Sequence, residues 1–193
     1  ETAEMPGFYA DGEYDLAGFV VGQVARHRVI DGRGIAPGDR LIGLASSGPH
    51  TNGYSLIRKI FEDEPLKTHH PELNSSLEAA LLAPHRSYLN LLQDLLANPD
   101  YSVKALAHLT GGGFIENIPR VLPEDVDAEI LQGSWPVPPL FRLIQQRGQV
   151  SELEMHRVFN MGIGMVMIVP PASAELLQQA IPEETWIIGQ ISA

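Results

Sequence analysis

Leu41-Ile42-Gly43-Leu44-Ala45-Ser46-Ser47-Gly48-Pro49-His50-Thr51-Asn52-Gly53-Tyr54-Ser55-Leu56 is the stretch whose reading decides the fold. Its first five residues form a short apolar run, the pattern of a buried strand. The next eight are small or polar, as in a loop. A helix follows, with Tyr54, Leu56, Ile57 and Ile60 roughly on one face. A strand, a small-residue loop and a helix start together make a common anion site, because backbone N–H groups there lack partners and the helix dipole favours negative charge. His50 lies in this loop and can change charge near neutral pH. The plainer alternative is a connection whose glycines only shape turns.

Val103 to Gly113, VKALAHLTGGG, repeats the plan: an apolar strand, His108 at its end, Thr110, three glycines, then a short helix through Phe114 to Pro119. Two such loops leaving one sheet can converge on a phosphate-bearing ligand. Neither fits the GxxxxGK[ST] or GxGxxG pattern.

Working outward, Tyr14 to Ile30 alternates apolar and small residues and predicts one long or two broken strands, with Gly18 and Gly22 as bulge points. His27, between Arg26 and Arg28, is expected in solvent. Glu62 to Pro71 reads as a charged linker carrying exposed His69 and His70. Leu73 to Ala83 and Ser87 to Ala97 read as helices, separated by a break at Pro84-His85-Arg86. Val126 to Leu131 alternates as a strand. Trp135 reads as a packing anchor. Leu140 to Gln146 is helical, and Ser151-Glu152-Leu153-Glu154 has capping-box spacing for another helix. Phe159 to Gly164 turns into the buried strand Met165 to Val169, where Asn160 and the glycines either approach a ligand or simply turn the chain. Ala172 to Ala180 and Trp186 to Gln190 give a last helix and strand. The order predicts a layered α/β (α+β) domain with a mixed sheet flanked by helices. There is no internal repeat.

The chain has 193 residues, 44% of them hydrophobic, enough for a packed core. A net charge of -11 disfavours nucleic acid or an anionic membrane as partner. It also requires any phosphate to be held by local devices. No cysteine is present, so there is no disulfide, zinc–thiolate site or thiol nucleophile, in keeping with a cytoplasmic protein. No apolar segment approaches the roughly 18 residues of a membrane span. The start at Glu1, without Met, suggests a piece of a longer protein.

Taken together, ETAEMPGFY, GDRLIGLASSGPHTNGYSLIRKI, HLTGGGFIENIPRVLP and FNMGIGMV closely resemble the C-terminal half of the phosphoribosylformylglycinamidine cyclo-ligase (aminoimidazole ribonucleotide synthetase) family, from Glu1 to about Gly189. Thr51 stands where that family more often has Ser, which keeps the hydroxyl.

The resemblance implies an enzyme of purine biosynthesis that turns formylglycinamidine ribonucleotide and ATP into aminoimidazole ribonucleotide, ADP and phosphate. It implies Mg²⁺, often with K⁺, a homodimer in the full-length enzyme, and a missing N-terminal domain that supplies much of the ATP site. Residues 1–13 would then be an interdomain segment and 14–193 the C-terminal synthetase-type domain, inactive alone. His50 and His108 would be the acid/base or phosphate-contacting pair. Ser47, Asn52, Gly53, Thr110, Gly111, Gly112, Gly113 and Asn160 would line the small-molecule nucleotide cradle. Glu4 and Glu1 would sit at the metal or nucleotide region. The rivals are a related formylglycinamidine ribonucleotide synthetase and a non-catalytic nucleotide-binding or dimerisation module.

Overall fold

The computed structural model describes residues 9–14 and 17–193, apart from the side chain of Pro99. In chain order the elements are β1 (Arg40–Ala45), α1 (Tyr54–Ile60), β2 (His69–His70), β3 (Ser75–Ser76), α2 (Leu77–Leu81), α3 (Leu89–Ala97), β4 (Ala105–His108), α4 (Gly113–Asn117), β5 (Asp127–Ile130), α5 (Pro139–Gly148), α6 (Glu152–Val158), β6 (Ile163–Val169), α7 (Pro171–Ala180) and β7 (Thr185–Ser192). No helix among the described residues is long and apolar enough to cross a membrane.

Five strands form one sheet in the order β4-β6-β1-β7-β5. The layered α/β architecture is the expected one, with one correction. Every pairing in the sheet is antiparallel, so it is not mixed. Because β1 and β4 both pair with β6, they run in the same direction and their following loops leave from the same end of the sheet.

β1 lies at the centre and is covered on both sides, which explains its unbroken apolar run. Ile42 and Leu44 face a cluster with Leu92 and Leu95 of α3, Met167 and Val169 of β6 and Leu177 of α7. Leu41 faces the larger cluster with Ile57, Phe141, Ile144, Met155, Val166 and Ile168. This alternation follows from the period-2 geometry of a strand. On the larger cluster's side, Gly43 makes room for a close layer: a Cβ there would lie 2.9 Å from side-chain atoms of Ile163 and Ile188.

Two further expectations are corrected. Tyr14 to Ile30 forms no strand in its described part, only a 3₁₀ turn at Arg26–Arg28, and Phe19 is 96% exposed. Its alternation reflects strand preference, but among the described residues no neighbouring strand completes the hydrogen bonds. Leu16 lies outside the described residues. His70 is buried rather than exposed, because β2 and β3 fold the expected linker into a hairpin. Its Nε2 approaches Glu64 Oε1 at 2.8 Å and its Nδ1 approaches Glu72 Oε1 at 3.7 Å. His69 and His27 are exposed as expected. Trp135 is a buried anchor, stacked on Phe114 with its Nε1–H donated to Met161 O at 3.0 Å. The Ser151 cap is also as expected: its hydroxyl accepts the Glu154 N–H.

Candidate functional site

The loops after β1 and β4 open on either side of the start of β6. Ser46 N–H donates to Gly162 O at 2.8 Å, and Leu109 N–H donates to Gly164 O at 2.9 Å. The Phe159–Gly164 turn is thus the partition on which both loops hang. Gly164 lets them close in, since a Cβ there would overlap the Tyr88 hydroxyl and lie 2.6 Å from His50 Cε1. Gly53 serves the same end, because a Cβ there would run into the Phe159 ring. The loops come close together: a Cβ added at Gly111 would lie 3.4 Å from Asn52 Oδ1.

A buried asparagine braces each loop from inside. Asn160 Nδ2 donates to Gly48 O at 2.9 Å, while its Oδ1 accepts Ser46 Oγ–H at 3.0 Å and Gly162 N–H at 2.9 Å. Asn117 Nδ2 reaches Thr110 O, Gly111 O and Gly113 O at 3.3, 3.2 and 2.8 Å. Its Oδ1 accepts from Thr110 Oγ1 and Arg120 Nη1, each at 3.1 Å. Short polar side chains that bond to backbone carbonyls are a standard way to hold an irregular turn. The helices beyond start at glycines with left-handed backbone, Gly53 (φ 76°) and Gly112 (φ 94°), and neither receives a side-chain cap.

The histidines gather where the loops meet. His50, 4% exposed, has a left-handed backbone (φ 56°), uncommon for a residue with a Cβ and held here by its surroundings. Its Nε2 accepts the Ser47 N–H at 3.2 Å. In the neutral ring the proton therefore sits on Nδ1. That Nδ1 is buried without a partner among the described residues, and so is Asn52 Nδ2.

His85 arrives from the Pro84–Ser87 segment. Its ring stacks on His50 with centroids 3.9 Å apart, and its Nε2 lies 3.2 Å from His108 Nε2. Burial, and then the positive charges of His85, His108 and Arg86, lower the His50 pKa to about 4. Burial and then His85 lower that of His108.

The wall behind this cluster is fixed by Arg86 and Tyr88. Arg86 Nη1 and the Tyr88 hydroxyl both donate to Ala45 O, at 3.0 and 2.8 Å. Arg86 also pairs with Glu183 and lies 5.0 Å from the centre of the Tyr88 ring. Burial pushes the Tyr88 hydroxyl up to about 12, so it remains a donor.

The structure therefore brings together His50, His108, Ser47, Asn52, Gly53, Thr110 and Gly111 to Gly113, and sorts them. Ser47, Thr110 and Asn160 spend polar atoms on the scaffold; the Ser47 hydroxyl donates to Pro84 O at 2.7 Å. His50 Nδ1 and Asn52 Nδ2 are unspent. Glu1 and Glu4 lie outside the described residues. His85, Arg86, Tyr88 and Asn117 were not anticipated. Only Asn117 sits within a motif, four residues beyond the last of the three glycines. Two inward N–H donors beside glycine loops can receive the oxygens of an anion or carbonyl.

Residues 36–193 match the family model described as AIR synthase related protein, C-terminal domain. The chain is 52% identical over 201 residues to a phosphoribosylformylglycinamidine cyclo-ligase of Burkholderia cenocepacia, covering 100% of this chain and 55% of that protein. It is 50% identical over 195 residues to one of Desulfitobacterium hafniense, covering 100% and 57%. A third, from a Thermoanaerobacter species, is 49% identical over 197 residues, covering 99% and 58%. The chain thus spans a little over half the length of these curated relatives.

Proposed function

This chain belongs to the AIR synthase related family through its C-terminal domain, and on that premise we propose that it is the C-terminal domain of an ATP-dependent phosphoribosylformylglycinamidine cyclo-ligase. The single observation that carries this reading to the site is the pair of buried, unpartnered donors, His50 Nδ1–H and Asn52 Nδ2, where the two glycine loops meet. Buried donors without acceptors are costly, about 1–3 kcal/mol each. A ligand oxygen placed between the loops would recover that cost.

In the proposed reaction the formyl oxygen of formylglycinamidine ribonucleotide takes the γ-phosphoryl group of ATP, releasing ADP. An amidine nitrogen then attacks the formyl carbon, the C–O bond to phosphate breaks, and a nitrogen proton is lost as the ring closes. His50 Nδ1–H would donate to the reacting oxygen and hold the charge that develops there. The His85–His108 pair, one nitrogen of which must be unprotonated, would accept the departing proton. Gly111 to Gly113 and Asn52 would position the phosphate, since phosphoryl transfer is largely positioning.

Mg²⁺ takes oxygen ligands, and the only cluster of three or more candidate metal-binding side chains among the described residues is made of histidines. That histidine cluster therefore does not suit Mg²⁺. No step is assigned to it, and Mg²⁺ and K⁺ would fall to Glu4, Glu1 or the N-terminal domain. Homodimerisation and a cytoplasmic location belong to the same reading of the full-length enzyme.

The test is cyclisation by the full-length enzyme carrying this domain, wild type against His50→Ala and Asn52→Ala. The expected loss in kcat/KM is about 10²-fold or more for His50→Ala, at the scale of lost acid–base assistance. Turnover within twofold of wild type in both variants would overturn the assignment.

A further inference from the structure

We propose that His50, His85 and His108 form a binding site for a transition metal ion of the Zn²⁺ class. The three rings come from separate segments: the loop after β1, the turn before α3 and the end of β4. One ring nitrogen from each lies within 4.8 Å of the other two. The His85 and His108 Nε2 atoms are 3.2 Å apart. Two ligands on a tetrahedral zinc with Zn–N bonds of about 2.0–2.1 Å stand about 3.3 Å apart, close to the separation that this hydrogen-bonded pair shows before any ion is bound.

His50 is the third ligand. Its Nδ1 is buried and has no partner among the described residues. Binding through Nδ1 moves the ring proton to Nε2 and gives up the bond from Ser47 N–H, a single neutral hydrogen bond. The His50 and His85 rings are stacked, so His85, the exposed member, turns to bring its lone pair to the ion.

The donor set fixes the class of ion. Three imidazoles suit Zn²⁺, Co²⁺, Ni²⁺ and Cu²⁺, whereas Mg²⁺ and Ca²⁺ require oxygen. Three protein ligands leave a position open for water or another oxygen ligand, as in zinc sites that exchange ligands. The ion would take the same three nitrogens that the proposed reaction uses as donor and base, so the metal-bound and cyclising states exclude one another. Metal binding is read without ATP or substrate, so its failure leaves the proposed reaction standing.

The experiment uses the tag-free chain after chelator treatment, titrated with Zn²⁺ by calorimetry and with Co²⁺ by visible absorption. The expected result is one equivalent of Zn²⁺ bound with micromolar or tighter affinity, d–d bands of four- or five-coordinate Co²⁺, and no competition from millimolar Mg²⁺. His85→Ala, at an exposed position, should weaken binding at least tenfold, and His108→Gln likewise. His69→Ala, outside the cluster, should leave binding unchanged. No saturable binding, or binding that survives His85→Ala and instead disappears in His70→Ala, would overturn the proposal.

Discussion

The backbone N–H of Ser47 points into the ring of His50, three residues on, and meets Nε2 at 3.2 Å. This bond sets which ring nitrogen is protonated and leaves the Nδ1–H facing inward. In chelator-treated protein, nitrogen NMR of the ring should show a protonated Nδ1 and a bare Nε2 at neutral pH. Protonation should be delayed to about pH 4 by burial and then by the surrounding cationic groups. The unfolded chain takes up this proton near the ordinary value of 6.5. Between these values the unfolded state holds more protons than the folded one, so stability is complete above about pH 6.5 and falls as the pH drops toward 4. His108 shifts in the same direction and adds to the slope. His50→Gln should flatten the stability–pH curve over this window. A His50 that titrates near 6.5 in the folded protein would contradict the geometry.

Asn117 holds three carbonyls of the Thr110–Gly113 loop and accepts from Thr110. Asn117→Ala would leave those carbonyls to find water or remain unpaired in a buried place. The expected loss is about 2 kcal/mol, within the 1–3 kcal/mol cost of a buried unsatisfied group. Asn117→Asp keeps the acceptor but removes the donor that reaches the carbonyls, so it should lose as much or more. Chemical denaturation of the two variants checks this. A change below about 0.5 kcal/mol in both would show that the brace is dispensable.

The strands that carry the site were legible because they are short apolar runs bounded by turn residues: glycine-bearing loops follow β1 and β4, while Gly162 precedes β6 and Pro170-Pro171 follow it. The meeting of the two loops was also legible, as two copies of one strand–glycine–helix plan. Tyr14 to Ile30 misled because alternation reports a residue's preference for extended backbone, while a strand also needs a partner. His85 was invisible for another reason: its place beside His108 comes from how the segment between α2 and α3 crosses the sheet end, and no spacing within the chain encodes that. The division of labour inside the cradle was likewise hidden. Ser47, Thr110 and Asn160 bond to backbone groups and scaffold side chains, and such partners leave no mark on composition or periodicity.

Gly164 and Gly113 should tolerate no side chain. At Gly164 a methyl group would overlap the Tyr88 hydroxyl and press on His50; at Gly113, where φ is 54°, it would overlap the backbone carbonyl of His156. A tyrosine ring can shift a little, whereas the His156 carbonyl belongs to a helix and cannot. Gly113→Ala should therefore cost more than Gly164→Ala, with both at or above about 2 kcal/mol. Gly133 is a useful control: it also has positive φ (79°), but nothing among the described residues lies within 4 Å of its Cβ position. Gly133→Ala should cost only the backbone penalty, about 1 kcal/mol. Thermal unfolding of the three variants gives the ranking, and equal losses at all three would refute the steric argument.

Asp39, immediately before β1, is 4% exposed, and both its oxygens contact Lys104 Nζ, at 2.8 and 2.7 Å. Its Oδ2 also accepts the Ala36 N–H at 2.8 Å. The pair joins the entry of β1 to the entry of β4, the two strands whose far ends carry the loops. The partners are not equally trapped, since the Lys104 side chain keeps 22% exposure and that of Asp39 only 5%. Removing the lysine leaves a buried carboxylate with one backbone donor; removing the aspartate leaves an ammonium on a flexible stem that can reach water. Lys104→Met should therefore cost about 3 kcal/mol, near the lower end for breaking a buried pair, and Asp39→Asn distinctly less. The double variant should recover part of the Lys104→Met loss, because the stranded charge is gone. Denaturant unfolding of the two single variants and the double variant measures the coupling. If Lys104→Met proves no more costly than Asp39→Asn, the two charges are equally solvated and the pair does not tie the two strand entries together.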